Sequence, residues 1–136
     1  MNDDEVRAFL DRPLLGFVST LRRDGSPNAV PVWYRYDGEA VRIWTEEGRG
    51  WVRNVLRDPR VSFVVAEMDA PYSGVVMRGE AAVRTRADDE TAAEIRAITR
   101  RYMPADEVEG YVARWPGLDT IVTIRPSSVT GWTVGY

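Results

Sequence analysis

Arg49, Arg53 and Arg57 recur at every fourth position of the stretch Gly48-Arg49-Gly50-Trp51-Val52-Arg53-Asn54-Val55-Leu56-Arg57. On a helix this spacing gathers three guanidiniums within roughly 80° of one face. Gly48 and Gly50 precede the apolar positions Val52, Val55 and Leu56, so the stretch reads as a turn leading from a strand into a helix. Free backbone N–H groups, the positive end of the helix dipole and the first arginines then converge on one anion. A phosphate suits the arrangement, because arginine grips it in bidentate fashion. The alternative is a surface helix whose arginines pair with Glu46, Glu47 or Asp58. Aromatic rings are the second resource. Trp33 and Tyr34 are neighbours in an extended segment and point to opposite sides, one to the core and one to a groove. Trp51, Tyr72 and Trp132 lie on or beside turns, where a planar heterocycle can stack, although each taken singly reads first as a packing residue.

Missing residue types narrow the chemistry further. The 136-residue chain has no His and no Cys, and all 18 of its basic residues are Arg. Without Lys there is no pyridoxal Schiff base and no P-loop lysine, and without His and Cys there are no Ser–His or Cys–His pairs and no common zinc site. Redox or acid–base chemistry must therefore be borrowed from a bound group. Asp88-Asp89-Glu90 reads as a charged helix start and Glu46-Glu47 as loop solvation, so no catalytic pair and no metal site is marked.

Net charge is −3, yet residues 22–60 hold eight Arg against six acids while the remainder holds ten against fifteen. A local basic region on an acidic body suits a small anion better than nucleic acid. That charge disfavours an aromatic-lined barrel for single strands built on Arg22, Arg23 and Trp33. With 44% hydrophobic residues, one soluble domain over 1–136 is expected. No apolar run reaches the ~18 residues that span a bilayer, and Met1–Glu5 is acidic, so the expectation is a cytoplasmic protein without a membrane partner.

The elements that must hold these residues follow from punctuation. Asn2 or Asp3 caps a short helix carrying Val6, Phe9 and Leu10, which Pro13 ends. A β-meander follows, with strands over 14–21, 29–36 and 40–45 joined at Asp24-Gly25 and Asp37-Gly38. The arginine helix spans 51–57 and stops at Asp58-Pro59. Strands over 61–67 and 74–85 come next, then a helix capped by Asp88 with Thr91, Ile95, Ile98 and Tyr102 on one side. A further helix shows Val108, Tyr111, Val112 and Trp115 at i, i+3, i+4 and i+7. Two strands, 119–124 and 128–136, end the chain as a hairpin. Mainly β, with six to seven antiparallel strands and peripheral helices, this order suits a small closed barrel.

Taken together, the segments resemble the pyridoxamine 5′-phosphate oxidase-like split β-barrels that bind flavin or deazaflavin. The matching text is Gly16 to Leu21, Asp24-Gly25-Ser26-Pro27, Val30 to Tyr34, Thr45 through Gly48-Arg49-Gly50 to Val61, and Val75 to Ala82 with Arg78-Gly79-Glu80-Ala81. The run Arg53-Asn54-Val55-Leu56-Arg57-Asp58-Pro59-Arg60-Val61 is its most specific part. The resemblance implies a homodimer with two cofactors, FMN or the deazaflavin coenzyme F-420, in clefts between subunits. It implies that Thr45, Arg49, Arg53 and Asn54 grip the phosphate or tail, that Val32 and Trp33 lie beside the ring system, and that Tyr72 sits on a loop bordering the cleft. Trp51 stands where relatives often carry a Lys, which removes one phosphate donor. The short Arg-rich variants resemble F-420 reductases, and Arg57 and Arg60 would meet a polyglutamate tail, which favours F-420 over FMN. A pyridoxamine phosphate oxidase proper is not implied, because its histidine and basic carboxy-terminal segment are missing. Haem, bound by some relatives, would lack the usual axial imidazole here. The implied activity is hydride transfer to or from a small organic substrate, with a non-catalytic module that stores or senses flavin as the alternative. No general acid is marked; Tyr34 and Tyr72 are the candidates.

Overall fold

The computed structural model describes residues 1–133. Helix α1 (Asp3–Leu10) begins at Asn2, whose side chain accepts from the Glu5 N–H while Glu5 reaches back to the Asn2 N–H, a reciprocal cap on a first turn of three acids. Its buried stripe is Val6, Phe9 and Leu10. Strands β1 (Gly16–Leu21) and β2 (Pro27–Val32) form a hairpin, then come β3 (Arg35–Tyr36), β4 (Val41–Thr45) and helix α2 (Gly50–Arg57). Strands β5 (Arg60–Ala66) and β6 (Ser73–Thr85) precede helix α3 (Asp89–Thr99), a single 3-10 turn, helix α4 (Val108–Ala113) and the long strand β7 (Thr120–Thr133). At both expected Asp-Gly turns the glycine takes positive φ, 84° at Gly25 and 96° at Gly38. The preceding Asp carboxylate accepts backbone N–H groups of its own turn, Ser26 at 2.9 Å for Asp24 and Ala40 at 2.8 Å for Asp37.

All seven strands join one antiparallel sheet in the order β2-β1-β5-β6-β7-β4-β3. The edges β2 and β3 are consecutive in the chain and only Trp33 and Tyr34 separate them, so the sheet must curl until its edges approach; the barrel is split at that seam. Inward residues alternate along the strands and include Val18, Ile43, Phe63, Val65, Met77, Val122 and Ile124, all essentially inaccessible to solvent.

Two expectations from the sequence need correcting. The strand expected over 29–36 breaks at Trp33-Tyr34. Tyr34 turns fully inside, its hydroxyl donating to the Leu10 carbonyl at 2.9 Å and its N–H to the Tyr102 hydroxyl at 3.3 Å, so its N–H is satisfied off the ladder. The opposite orientation of the two rings holds nonetheless. The terminal hairpin is instead one strand. Pro126 reads as a breaker, but it pairs with Gly79 across a register shift between Arg78 and Gly79, and both halves of β7 continue along β6. A residue without an N–H is tolerated at such a bulge. Positions 134–136 of the expected last strand lie outside the described residues. Among the described residues no helix is long and apolar enough to cross a membrane.

Candidate functional site

A cleft of about 460 Å³ opens beside the seam, between the end of β2, the end of β4, the start of α2 and helix α4. Its floor is Val30, Pro31, Val32 and Trp33. Thr45, nearly buried, closes one side together with Glu46, Arg49 and Trp51. The electrostatics of that side follow from how α2 begins. Helices α1 and α3 open with acidic residues and side-chain caps, whereas α2 has no acid in its first turn and no capping side chain. Its first N–H groups, at Gly50 and Trp51, therefore have no partner within the helix. Arg49 occupies the cap position, and its Nε lies 3.6 Å from a Glu46 carboxylate oxygen. A Cβ on Gly48 would meet no atom within 4 Å, so packing does not demand the glycine and there is room beside the helix end.

Aromatic rings make the far wall. Trp33 stacks flat on Tyr102, centroids 5.0 Å apart at 4°, and is met by Tyr111 at 5.3 Å and edge-on by Trp44 at 6.2 Å. Tyr111 in turn touches Trp115 at 6.4 Å. Behind the cluster, the Tyr102 hydroxyl donates to the Leu14 carbonyl at 2.8 Å, and the Arg101 guanidinium lies over the Tyr34 ring at 4.8 Å while binding the Leu10 and Arg12 carbonyls. Burial raises the pKa of both tyrosines, most of all Tyr34, so neither phenol ionises near neutral pH. Trp44 lines the cleft, and its buried Nε1 has no acceptor among the described residues.

Comparison with known proteins decides the lineage. The family model described as pyridoxamine 5′-phosphate oxidase matches residues 2–133. The chain belongs to the pyridoxamine 5′-phosphate oxidase family. It is similar to a conserved hypothetical protein of Mycobacterium tuberculosis, with 25% identity, a TM-score of 0.84, and coverage of 98% of this chain and 85% of that one. It is also similar to a protein described as an F420 reductase, with 29% identity, a TM-score of 0.71, and coverage of 91% and 94%. A heme storage protein from Vibrio cholerae shares the fold at 14% identity and a TM-score of 0.73, over 93% and 92% of the two chains.

Within this pyridoxamine 5′-phosphate oxidase-family barrel, the residues singled out from sequence divide into two groups. Val32, Trp33, Thr45, Arg49 and Trp51 line the one cleft. Arg53, Asn54 and Tyr72 do not line it in the single chain. Arg53 folds back to donate to the Gly48 carbonyl at 2.9 Å, bracing the loop that enters α2. Asn54 is buried and bridges elements, donating to the Thr20 hydroxyl at 3.1 Å and accepting from Arg57 at 3.2 Å. Arg57 continues to the Leu21 carbonyl, and Arg60 is held by Asp58, so the arginine row is spent partly on the fold. Tyr72 lies on the loop before β6 and is 45% exposed. Read from sequence, Trp44 carries no site role, and Tyr111 and Trp115 belong to a helical packing face. The i, i+4 spacing of Tyr111 and Trp115 was the available signal, since only Val108 of that helix is buried.

The donor set fits a phosphate attached to a planar ring system. A helix end with free N–H groups and Arg49 supplies the anion corner, and an apolar aromatic cleft adjoins it.

Proposed function

We propose that this protein is an oxidoreductase that uses bound coenzyme F-420 or FMN to transfer a hydride to or from a small organic substrate. The observation that carries the reading is the junction of the uncapped, acid-free start of α2 with an aromatic cleft, in a chain that has no histidine, cysteine or lysine. The cofactor, when bound, supplies the hydride chemistry. The chain's own residues bind and orient it: Arg49 and the Gly50 and Trp51 N–H groups neutralise the phosphate, while Val32 and Trp33 border the ring. Thr45 offers its hydroxyl beside them, and Trp51 seals the corner from the core. Arg53 supports the loop rather than the anion in the single chain, and Asn54 fixes the helix to β1. F-420 is preferred over FMN, and the similarity to an F420 reductase at 29% identity supports that preference.

The protein is proposed to act as a homodimer. The outward face of the sheet supports this, because Pro31, Phe17, Val64, Val76 and Thr130 stand side by side across five strands, with Phe17 41% exposed. Pro31 belongs both to this row and to the cleft, so a second copy laid on the face would overhang the site and bring its own loops to it, Tyr72 among them. A second reading, binding without turnover, rests on the cleft's acids: among the described residues Glu46 is the carboxylate that lines it, and it pairs with Arg49.

Titrating the purified protein with F-420 and with FMN, followed by cofactor fluorescence, tests the proposal. Saturable quenching by at least one of them is expected, tighter for F-420, and reduced cofactor is then consumed with an organic acceptor present. Silence with both would end the redox reading. Binding without turnover across an acceptor panel would favour the storage or sensing module.

A further inference from the structure

Helix α4 is the part of the cleft that the anion-binding reading leaves without a task. The ring of Trp33 is already committed, stacked on Tyr102 at 4° and met again by Tyr111 at 5.3 Å, so it is a post that holds other rings in place. The next ring outward is Trp115, tilted 56° against Tyr111 and 37% exposed at the cleft mouth. An indole anchored by a neighbouring ring, with unspent π surface over an apolar floor, is a stacking surface rather than a core residue. The helix is tied down at its base, where Val108 is buried and Glu109 pairs with Arg96 at 2.7 Å, which fixes Tyr111, and Trp115, just past the last helical residue Ala113, is set against the Tyr111 ring. The charged groups of the cleft, Glu46 and Arg49, lie together on the α2 side and offset each other. At the α4 end the cleft lining, among the described residues, is Trp33, Trp44, Tyr111 and Trp115, with no charged side chain to offset a buried charge, whose desolvation is costly.

We infer that α4 and the turn that follows it form the substrate wall of this cleft and that this wall takes an uncharged, planar aromatic co-substrate, stacked on Trp115 and met at its edge by the Tyr111 ring. This rests on reading the α2 corner as the cofactor's anchor, and it adds the class of molecule that shares the cleft and the residues that select it. A cationic ligand drawn to the same rings is the competing outcome.

Three tricycles of nearly one shape but different charge separate the cases: phenazine, phenazine-1-carboxylate and N-methylphenazinium. Each is titrated calorimetrically into the full-length protein, alone and after incubation with F-420 or FMN. Phenazine is expected to bind best and without displacing either cofactor. Trp115→Ala should weaken it by about tenfold, the loss of one stacked ring face, while Trp115→Phe keeps most of the affinity. Cofactor affinity should change less than phenazine affinity in both variants. Equal binding of the carboxylate, tighter binding of N-methylphenazinium, competition with cofactor, or indifference to Trp115→Ala would each overturn the inference. Phenazine binding to a protein that takes neither cofactor would sink the redox reading and leave the aromatic wall standing. Cofactor binding with no phenazine binding would do the reverse.

Discussion

Arg49 carries two partners that compete, the Glu46 carboxylate at 3.6 Å and whatever anion reaches the end of α2. Removing the guanidinium takes away a charge-assisted contact worth about 1.5–3 kcal/mol, so Arg49→Ala should weaken cofactor binding by about tenfold or more in a fluorescence titration. Glu46→Gln should act oppositely and modestly, tightening the same binding a few-fold, because an exposed pair holds its partner weakly. Asn54→Ala belongs to another category. Its amide links α2 to Thr20 and Arg57 inside the protein, so the change should lower unfolding stability by about 1–3 kcal/mol in urea while leaving cofactor affinity per folded molecule intact. The contrast marks what a sequence displays at this scale. Helix spacing is local and singles out Arg49, while the family resemblance adds Val32, Trp33 and Thr45, and one cleft holds all four together with Trp51. The partners of Asn54 and Arg57, Thr20 and Leu21, lie 34 and 36 residues away along the chain, and nothing in the local pattern announces them.

Elements were legible where punctuation is chemical. Asn2, Asp88 and the two Asp-Gly turns sit where caps and positive-φ residues were expected. Pro126 misled because its usual meaning, a break, is cancelled by a bulge that only the neighbouring strand reveals. Gly79 is the other half of that device. A Cβ there would lie 2.2 Å from the Arg125 carbonyl oxygen and 2.8 Å from the Pro126 Cα, both backbone atoms that cannot swing aside. Gly79→Ala should therefore cost about 1–3 kcal/mol in thermal or urea unfolding, despite its small size. The β3–β4 turn makes a pH prediction. Desolvation pushes the Asp37 carboxyl up, but hydrogen bonds from the Ala40 N–H, the Arg42 guanidinium and the Glu39 N–H outweigh it and hold the pKa well below the usual range. A carboxyl with a lower pKa in the folded than in the unfolded chain stabilises at neutral pH, and that contribution is lost as the pH falls below about 4. Asp58, brought down to about 2 first by the Arg60 guanidinium and then by its N–H, adds to the same acid limb. Urea midpoints at pH 7 and pH 3 should therefore differ less in Asp37→Asn than in the parent protein; an unchanged difference would show that the turn contributes nothing.

At the scale of the molecule, the sheet's outward row from Pro31 to Thr130 and the cleft share a border, so assembly and binding are expected to be coupled. Phe17→Arg places a charge within that row, next to Pro31, without touching the core. Sedimentation should show the parent at twice the chain mass and the variant at one, with cofactor affinity reduced in step; a parent that sediments as a monomer would contradict the shared-site arrangement. The fold was readable as a barrel because strand count and turn spacing leave few closures, whereas the site was readable in its β2 floor and α2 corner but not in its α4 wall. The α4 half depends on where a helix late in the chain folds back, and that is a tertiary fact. The most direct test is a crystal of the protein grown with F-420 or FMN. The account predicts the phosphate at the start of α2, accepting from the Gly50 and Trp51 N–H groups with Arg49 turned from Glu46 to the anion. A cofactor bound elsewhere, with the Arg49–Glu46 pair intact and that corner holding only solvent, would contradict it.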